Sequence, residues 1–150
     1  MANNPTRVDS PPRRWWDAPT ATGPIEATVT LPGSKSQTSR ALVIGTIAQN
    51  PTRITGALAS RDTYLAAKAT QAFGAKLRYE PGGALVVEPP KKLRGGKTID
   101  CGQAGTVMRF GAALAAFAKG KTTLVGDASA KRRRIGPLMK SLKQLGAKVS

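Results

Sequence analysis

Histidine is absent from this chain of 150 residues, and cysteine occurs once, at Cys101. A single cysteine excludes an internal disulfide, and without histidine we expect no structural zinc site. The lack of histidine also excludes Ser-His-Asp and Cys-His catalysis, because both need an imidazole base. Any chemistry must therefore use lysine, arginine, carboxylates, hydroxyls and backbone amides. We interpret Cys101 as a small buried apolar residue rather than a nucleophile.

Long apolar runs are also missing. No segment approaches the roughly 18 apolar residues that a membrane-spanning helix needs. The first residues, MANNPTRVDSPPRR, lack the apolar stretch of a secretory signal. The sequence therefore predicts a soluble, cytoplasmic protein without a membrane partner. With 40% hydrophobic and 21% charged residues, the composition is that of a globular domain.

Acidic and aromatic residues are scarce. The chain has 8 Asp and Glu against 24 Lys and Arg, a net charge of +16, and only 5% aromatic residues. Proteins that bind nucleic acids commonly combine basic residues with aromatic rings that stack on bases. With few such rings, the charge suits small anionic ligands at least as well as nucleic acid. A basic nucleic-acid-binding module remains an alternative function.

The apolar pattern predicts alternating strands and helices after a proline-rich leader or linker over residues 1–24. In order, the predicted elements are a strand Glu26–Leu31, a helix from near Ser36 with Ala41, Ile44, Gly45 and Ala48 inward, a strand Thr52–Leu58, a helix Ser60–Phe73 that ends at Gly74, and a hairpin of Ala75–Tyr79 with Ala84–Glu88.

A second, similar series follows. It comprises a strand Thr98–Cys101, a helix Ala104–Ala118, a strand Thr122–Asp127, a helix with Ile135, Leu138, Met139, Leu142 and Leu145 inward, and the opening of a strand at Ala147–Ser150. Gly33-x6-Arg40 aligns with Gly102-x6-Arg109 at an offset of 69 residues. We therefore predict an α/β fold made of βαβαββ repeats of about 70 residues. Repeat one covers about 25–90 and a truncated repeat two about 97–150.

The first candidate site is the segment LPGSKSQTSR, from Leu31 to Arg40. A glycine turn before a helix N-terminus offers free backbone N–H groups and the positive end of the helix dipole. Hydroxyl groups, Lys35 and Arg40 add further donors and full charges. The segment therefore suits a phosphate or carboxylate, although an ordinary capped helix start with solvated bases has the same residue types.

Two further segments carry candidate residues. In the segment GQAGTVMR, Gly105 suits close approach of a ligand to the backbone or tight packing of helix on strand, and Arg109 suits a ligand contact or an ion pair with Asp100 or Asp127. The run Lys131-Arg-Arg-Arg134 is either an exposed basic patch or part of an anion site that converges with the two glycine turns.

Together these segments resemble the 3-phosphoshikimate 1-carboxyvinyltransferase (5-enolpyruvylshikimate-3-phosphate synthase) family. The resemblance rests on LPGSKSQTSRAL, DCGQAGTVMRF and GDASAKRRRIGPL, in the right order and spacing. It implies the enolpyruvyl transferase fold, an inside-out α/β barrel of βαβαββ units, with about one and a half to two units over residues 25–150. Residues 25–150 would thus form an incomplete enolpyruvyl transferase domain.

The resemblance implies transfer of the enolpyruvyl group of phosphoenolpyruvate to the 5-hydroxyl of shikimate 3-phosphate, with release of phosphate. Lys35, Ser36 and Arg40 would bind shikimate 3-phosphate; Lys35, Gly105 and Arg133 would bind phosphoenolpyruvate, where glyphosate competes. Lys35 would also be catalytic. The family needs no metal or organic cofactor, and we expect the full-length form to be a monomer that binds neither membrane nor specific nucleic acid.

The chain departs from the family pattern at three points. Gln103 stands where many members have Asn or Leu. Arg134 replaces a proline, so the arginine that binds phosphoenolpyruvate could be Arg132, Arg133 or Arg134. The spacing along the sequence favours Arg133. The third departure is length, since the catalytic acid/base groups lie beyond residue 150, so the chain alone is expected to be inactive. Two further alternatives are a sister UDP-N-acetylglucosamine enolpyruvyl transferase and a non-catalytic remnant of the family. In the sister enzymes, Asn typically follows the loop lysine.

Overall fold

The computed structural model describes residues 17–150, except for the side chain of Lys131. The chain divides into two units, Met1–Thr30 and Leu31–Ser150. In the first unit, residues 17–30 are exposed and form neither helix nor strand. The strand predicted over Glu26–Leu31 is therefore wrong, because alternation gives strand propensity but a stable strand also needs a paired neighbour. Residues 1–16 of the predicted leader lie outside the described residues.

The second unit is a mixed α/β structure, as predicted. In chain order its elements are α1 (Lys35–Ile47), β1 (Thr52–Ile54), α2 (Arg61–Ala72), β2 (Lys76–Tyr79), β3 (Leu85–Glu88), β4 (Thr98–Asp100), α3 (Gly105–Phe117), β5 (Thr123–Val125), α4 (Ala128–Lys131) and α5 (Gly136–Gln144). Within the described part of the chain, no helix is both long and apolar enough to cross a membrane.

The segment predicted as repeat one contains α1, α2 and a three-stranded antiparallel sheet in the order β1-β3-β2. The predicted helix over Ser60–Phe73 and the predicted hairpin are confirmed. The side chain of Ser60 accepts from Thr63 N and the side chain of Thr63 accepts from Ser60 N, so a capping box starts α2. Gly74, in the left-handed region at φ +104°, follows its C-cap.

The second repeat begins with β4, which pairs in parallel with β5 across α3; Thr98 lies opposite Thr123. The short helix α4 and then α5 follow. The predicted inward face of this helix is confirmed in part, because Leu142 is buried and Ile135, Leu138 and Met139 are half-buried. Leu145, by contrast, is 83% exposed. The strand predicted at Ala147–Ser150 is also absent from the described structure.

A single apolar core joins the two repeats. Its most buried large side chains include Leu42 of α1, Phe73 at the end of α2 and Val87 of β3, and it continues through Cys101 to Val107 of α3. Helix α2 packs against both α1 and α3. This packing brings the first turn of α1 next to the first turn of α2, where Lys35 and Asp62 form an ion pair.

An exposed ion-pair network crosses the three-stranded sheet. Glu80 accepts from Arg53 Nε at 2.8 Å and from Arg78 Nη1 at 2.7 Å, and Arg78 Nε also donates to Glu88 at 3.3 Å. The hydrogen bonds from Arg53 and then Arg78 lower the pKa of Glu80, and Glu80 in turn raises the pKa of Arg78. The ionised form of Glu80 is therefore favoured by folding.

The network predicts a pH-dependent contribution to stability. A carboxyl whose folded pKa lies below its unfolded value stabilises the fold above the unfolded pKa, and this contribution disappears as the pH falls through the folded pKa. The Tm difference between the chain and a Glu80→Gln variant is thus expected to be largest above about pH 5 and to shrink in more acidic solution. Thermal unfolding across pH checks this, with exposed Glu26→Gln as control; a constant difference would contradict it.

Candidate functional site

The first candidate segment forms the N-terminal turn of α1. Ser34 caps the helix, because its Oγ accepts from Gln37 N at 3.3 Å. The side chains of Lys35 and Ser36 are therefore not needed for capping. Lys35 Nζ lies 2.9 Å from Asp62 Oδ2 in the first turn of α2. This ion pair joins the N-terminal ends of α1 and α2.

Ser36 and Arg40 form one polar unit, a helical turn apart. Arg40 Nη1 donates to Ser36 O at 3.2 Å and to Ser36 Oγ. The Arg40 guanidinium also lies over the Phe110 ring of α3, with its Cζ 5.8 Å from the ring centroid. The side chains of Ser36 and Arg40 are both exposed. The guanidinium is thus held on the helix while its remaining donors face solvent.

The second glycine turn connects β4 to α3. Gly102, at φ +48°, donates its N–H to Asp100 Oδ1 at 2.8 Å, and Ala104 N donates to Cys101 O at 2.8 Å. Helix α3 then begins at Gly105 without a side-chain cap. An uncapped helix N-terminus presents backbone N–H donors and the positive end of the helix dipole.

Two guanidinium groups meet at Gly105. A Cβ placed on Gly105 would lie 3.0 Å from Arg109 Nη1 and would overlap Arg133 Nη1. Arg109 Nη1 also donates to Gly105 O at 3.4 Å. Among the described residues, neither arginine forms an ion pair with a carboxylate. Two like charges that converge on a neutral glycine produce a strongly positive position, which an anion would stabilise.

The structure distinguishes the three consecutive arginines by their distance from Gly105. Of Arg132, Arg133 and Arg134, it is Arg133 that approaches Gly105. All three are exposed. The ion pair considered for Arg109 does not form, because Asp127 pairs with Arg61 and Asp100 accepts from Gly102 N. Gly105, Arg109 and Arg133 therefore form one cluster at the start of α3.

Sequence reasoning missed Arg61 and Asp62, two adjacent residues of opposite charge in the first turn of α2. Asp62 pairs with Lys35 at 2.9 Å, and Arg61 Nη2 lies 3.2 Å from Asp127 Oδ2. An acid at a helix start is ordinary, but a cation there opposes the helix dipole. The position of Arg61 was therefore the available signal that this residue has another role.

Cys101 is buried at the end of β4, as predicted. Burial and the neighbouring charge of Asp100 raise the pKa of its thiol to about 11. The thiol thus stays protonated near neutral pH and is a poor nucleophile. Within residues 17–150, no group of three or more Cys, Asp or Glu side chains is arranged to hold a metal ion.

A profile of the EPSP synthase (3-phosphoshikimate 1-carboxyvinyltransferase) family matches residues 19–150 of the chain. The chain belongs to the EPSP synthase family. The resemblance noted from its motifs is thereby confirmed. Candidate residues Lys35, Ser36, Arg40, Gly105 and Arg133 all lie within the matched range. The roles that the resemblance implies for them remain predictions.

Two curated relatives and two solved structures are similar to this EPSP synthase family member. The 3-phosphoshikimate 1-carboxyvinyltransferase of Mycobacterium ulcerans is 44% identical over 143 residues, 89% of this chain and 32% of the relative. That of Bifidobacterium longum is 41% identical over 138 residues, 89% of this chain and 31% of the relative. The chain therefore spans about a third of the length of these relatives.

The solved structures are both of EPSP synthase from Acinetobacter baumannii. One superposes with a TM-score of 0.69 at 26% identity and covers 80% of this chain and 28% of that structure. The other gives a TM-score of 0.70 at 26% identity and covers 81% of this chain and 28% of that structure. The predicted enolpyruvyl transferase fold is confirmed for the part of the chain that these structures cover.

Proposed function

We propose that this chain forms the N-terminal part of a 3-phosphoshikimate 1-carboxyvinyltransferase. The reaction transfers the enolpyruvyl group of phosphoenolpyruvate to the 5-hydroxyl of shikimate 3-phosphate and releases phosphate. It serves chorismate and aromatic amino acid synthesis. The observation that carries the proposal is the convergence of Arg109 and Arg133 on Gly105, without a carboxylate partner in the described part of the chain.

Phosphoenolpyruvate binds at the Gly105 cluster in this proposal. Its carboxylate and phosphate groups would accept from the Arg133 guanidinium and from the Gly105 N–H at the uncapped start of α3. A side chain at position 105 would overlap Arg133 Nη1 and displace this cation, which supports a need for glycine beside the proposed ligand. The Arg109 guanidinium, whose Nη1 lies 3.0 Å from the position of a Cβ on Gly105, adds positive charge to the same position.

Shikimate 3-phosphate binds at the first turn of α1. The phosphate would accept from Lys35, from the Ser36 hydroxyl and from Arg40, whose guanidinium is already held by Ser36 and Phe110. The Lys35 ammonium has three donors and uses one on Asp62. Two donors are therefore left for the two anionic substrates.

The chemistry explains why this site is rich in cations. The 5-hydroxyl oxygen forms a bond to C2 of phosphoenolpyruvate while it loses its proton, and C3 gains a proton. The C2–O bond to phosphate then breaks and C3 loses a proton, which restores the double bond. Both substrates are polyanions, so Lys35, Arg40 and Arg133 offset their mutual repulsion and hold the reacting atoms together.

The reaction requires no metal or organic cofactor, because proton transfer and loss of phosphate need only acids, bases and cations. By resemblance, the groups that move the protons belong to the part of the relatives' length that this chain does not span. We further propose a cytoplasmic monomer whose partners are the two small anions, without specific nucleic acid.

The direct test uses a full-length version of the enzyme that carries residues 1–150. Purified protein is expected to release phosphate only when both phosphoenolpyruvate and shikimate 3-phosphate are present. Formation of the enolpyruvyl ether is followed by mass spectrometry. Absence of turnover, together with tight binding to nucleic acid that weakens steeply with salt, would instead support the basic-module alternative.

Arg133 is expected to matter far more than its neighbour Arg132. In the full-length enzyme, Arg133→Ala should raise KM for phosphoenolpyruvate about 10- to 100-fold, the range for loss of one charge-assisted hydrogen bond. Arg132→Ala removes an equal charge one position earlier and should change this KM less than about twofold, as a solvated surface charge does. Steady-state kinetics at two salt concentrations check this. Equal, small, salt-sensitive losses at both positions would indicate an exposed basic patch.

A further inference from the structure

Arg61 is a cation at the first residue of α2 for which the proposed reaction has no use. The helix is already capped by the reciprocal bonds of Ser60 and Thr63, and Asp62 supplies the negative charge that a helix N-terminus favours. A positive charge at this position is mildly unfavourable for the helix itself. The reason for Arg61 must therefore lie in its contacts outside α2.

Those contacts reach across the boundary between the two repeats. Arg61 Nη2 lies 3.2 Å from Asp127 Oδ2, 66 residues along the chain. The same guanidinium covers Gly102, since a Cβ built on that glycine would lie 3.3 Å from Arg61 Nη2 and 3.7 Å from its Cζ. Arg61 thus contacts both the glycine turn before α3 and the residue that starts α4.

Asp127 connects this contact to Arg133 through the main chain. Its N–H donates to Gly102 O at 3.0 Å, and its carbonyl accepts from Ala130 N at 2.9 Å. Arg133 N in turn donates to Ala130 O at 3.0 Å. A continuous set of backbone bonds therefore runs from the turn that Arg61 covers to the residue whose guanidinium lies against Gly105.

We infer that Arg61 is a positioning residue that holds Arg133 over Gly105 by fixing Gly102 and Asp127 relative to each other. The inference rests on the proposed function, and it deepens it, because Arg61 acts on the phosphoenolpyruvate half of the site through Arg133. The shikimate 3-phosphate half depends on Lys35, Ser36 and Arg40, whereas the hydrogen bond and ion pair of Arg61 are both with Asp127. Its loss is therefore expected to affect the two substrates unequally.

The test compares Arg61→Ala with Arg53→Ala in the full-length enzyme. Arg53 is a matched control, because it also forms an ion pair, with Glu80 at 2.8 Å, and its side chain is 57% exposed against 63% for Arg61. Exposed pairs of this kind contribute little to global stability, so both variants should have similar Tm values. We measure KM for each substrate, kcat and Tm.

Arg61→Ala is expected to raise KM for phosphoenolpyruvate about fivefold and to change KM for shikimate 3-phosphate less than about twofold. Arg53→Ala should leave both unchanged. Arg61→Lys retains the charge that pairs with Asp127 and should recover most of the loss. Calorimetric titration of phosphoenolpyruvate with each variant provides the same comparison without turnover.

Two results separate failure of this inference from failure of the proposed function. An active enzyme in which Arg61→Ala matches Arg53→Ala, or raises both KM values equally, overturns the positioning role alone. An unsubstituted enzyme that neither turns over nor binds phosphoenolpyruvate overturns the proposed function and this inference with it.

Discussion

Replacement of Lys35 by methionine is expected to weaken binding of both substrates and to slow turnover in the full-length enzyme. Each charge-assisted contact of this ammonium stabilises its anion by about 1.5–3 kcal/mol, so each KM should rise about 10- to 100-fold. Methionine is unbranched and a good helix former, so α1 should remain intact. In addition, the Asp62 carboxylate loses its cation 2.9 Å away and then repels both substrates.

Kinetics with both substrates varied measure this effect. Lys68→Met serves as the control, because Lys68 is an exposed lysine on α2 whose Nζ lies 5.5 Å from the centroid of the Tyr64 ring. The control should alter neither KM. If Lys35→Met changes kinetics less than about twofold, Lys35 serves only the ion pair with Asp62, an exposed pair of low energy.

Elements that depend on local signals were predictable from the sequence. Helix α2 begins at a Ser60 capping box and is followed by Gly74, and the β2–β3 hairpin surrounds a Pro-Gly-Gly turn. These signals act within a few residues, so no tertiary knowledge is needed to interpret them. The internal repeat remains a prediction, based on glycines and basic residues that recur at nearly constant offsets.

Burial was harder to predict where small and hydroxylated residues alternate. The predicted inward face of α1 included Ile44, which is 60% exposed, whereas Thr46 is buried. Thr46 tolerates burial because its Oγ1 donates to Leu42 O at 2.8 Å, within the same helix. Hydrophobicity alone does not reveal such local satisfaction of a polar group.

The choice of Arg133 among the three arginines was accessible from the sequence, but the ion pairs around the candidate residues were not. Spacing favoured Arg133, and the structure brings it against Gly105. The ion pairs of Arg61 and Asp62 join residues 66 and 27 positions apart in sequence, from separate repeats or helices. Such pairs depend on how α2 packs against its neighbours, which periodicity within one element does not encode.

Gly105→Ala is expected to separate two opposite roles of this glycine. If position 105 only starts a helix, alanine should stabilise the fold by up to about 1 kcal/mol and leave kinetics unchanged. The structure predicts another outcome, because the new methyl group would overlap Arg133 Nη1 and lie 3.0 Å from Arg109 Nη1. Both guanidiniums end flexible side chains, so they would move aside at little cost in stability.

The kinetic loss should then exceed that of Arg133→Ala, because the methyl group displaces two cations and also fills ligand space. KM for phosphoenolpyruvate is expected to rise about 100-fold or more, while KM for shikimate 3-phosphate changes little, since its contacts lie on α1. Glyphosate, which by resemblance competes at the phosphoenolpyruvate position and is bulkier, should lose still more affinity.

Kinetics of the full-length enzyme with both substrates varied measure the two KM values. Inhibition by glyphosate measures its affinity, and a melting curve measures stability. A more stable protein with unaltered response to phosphoenolpyruvate and glyphosate would remove Gly105 from the site, and would reduce the guanidinium cluster to a feature of helix packing.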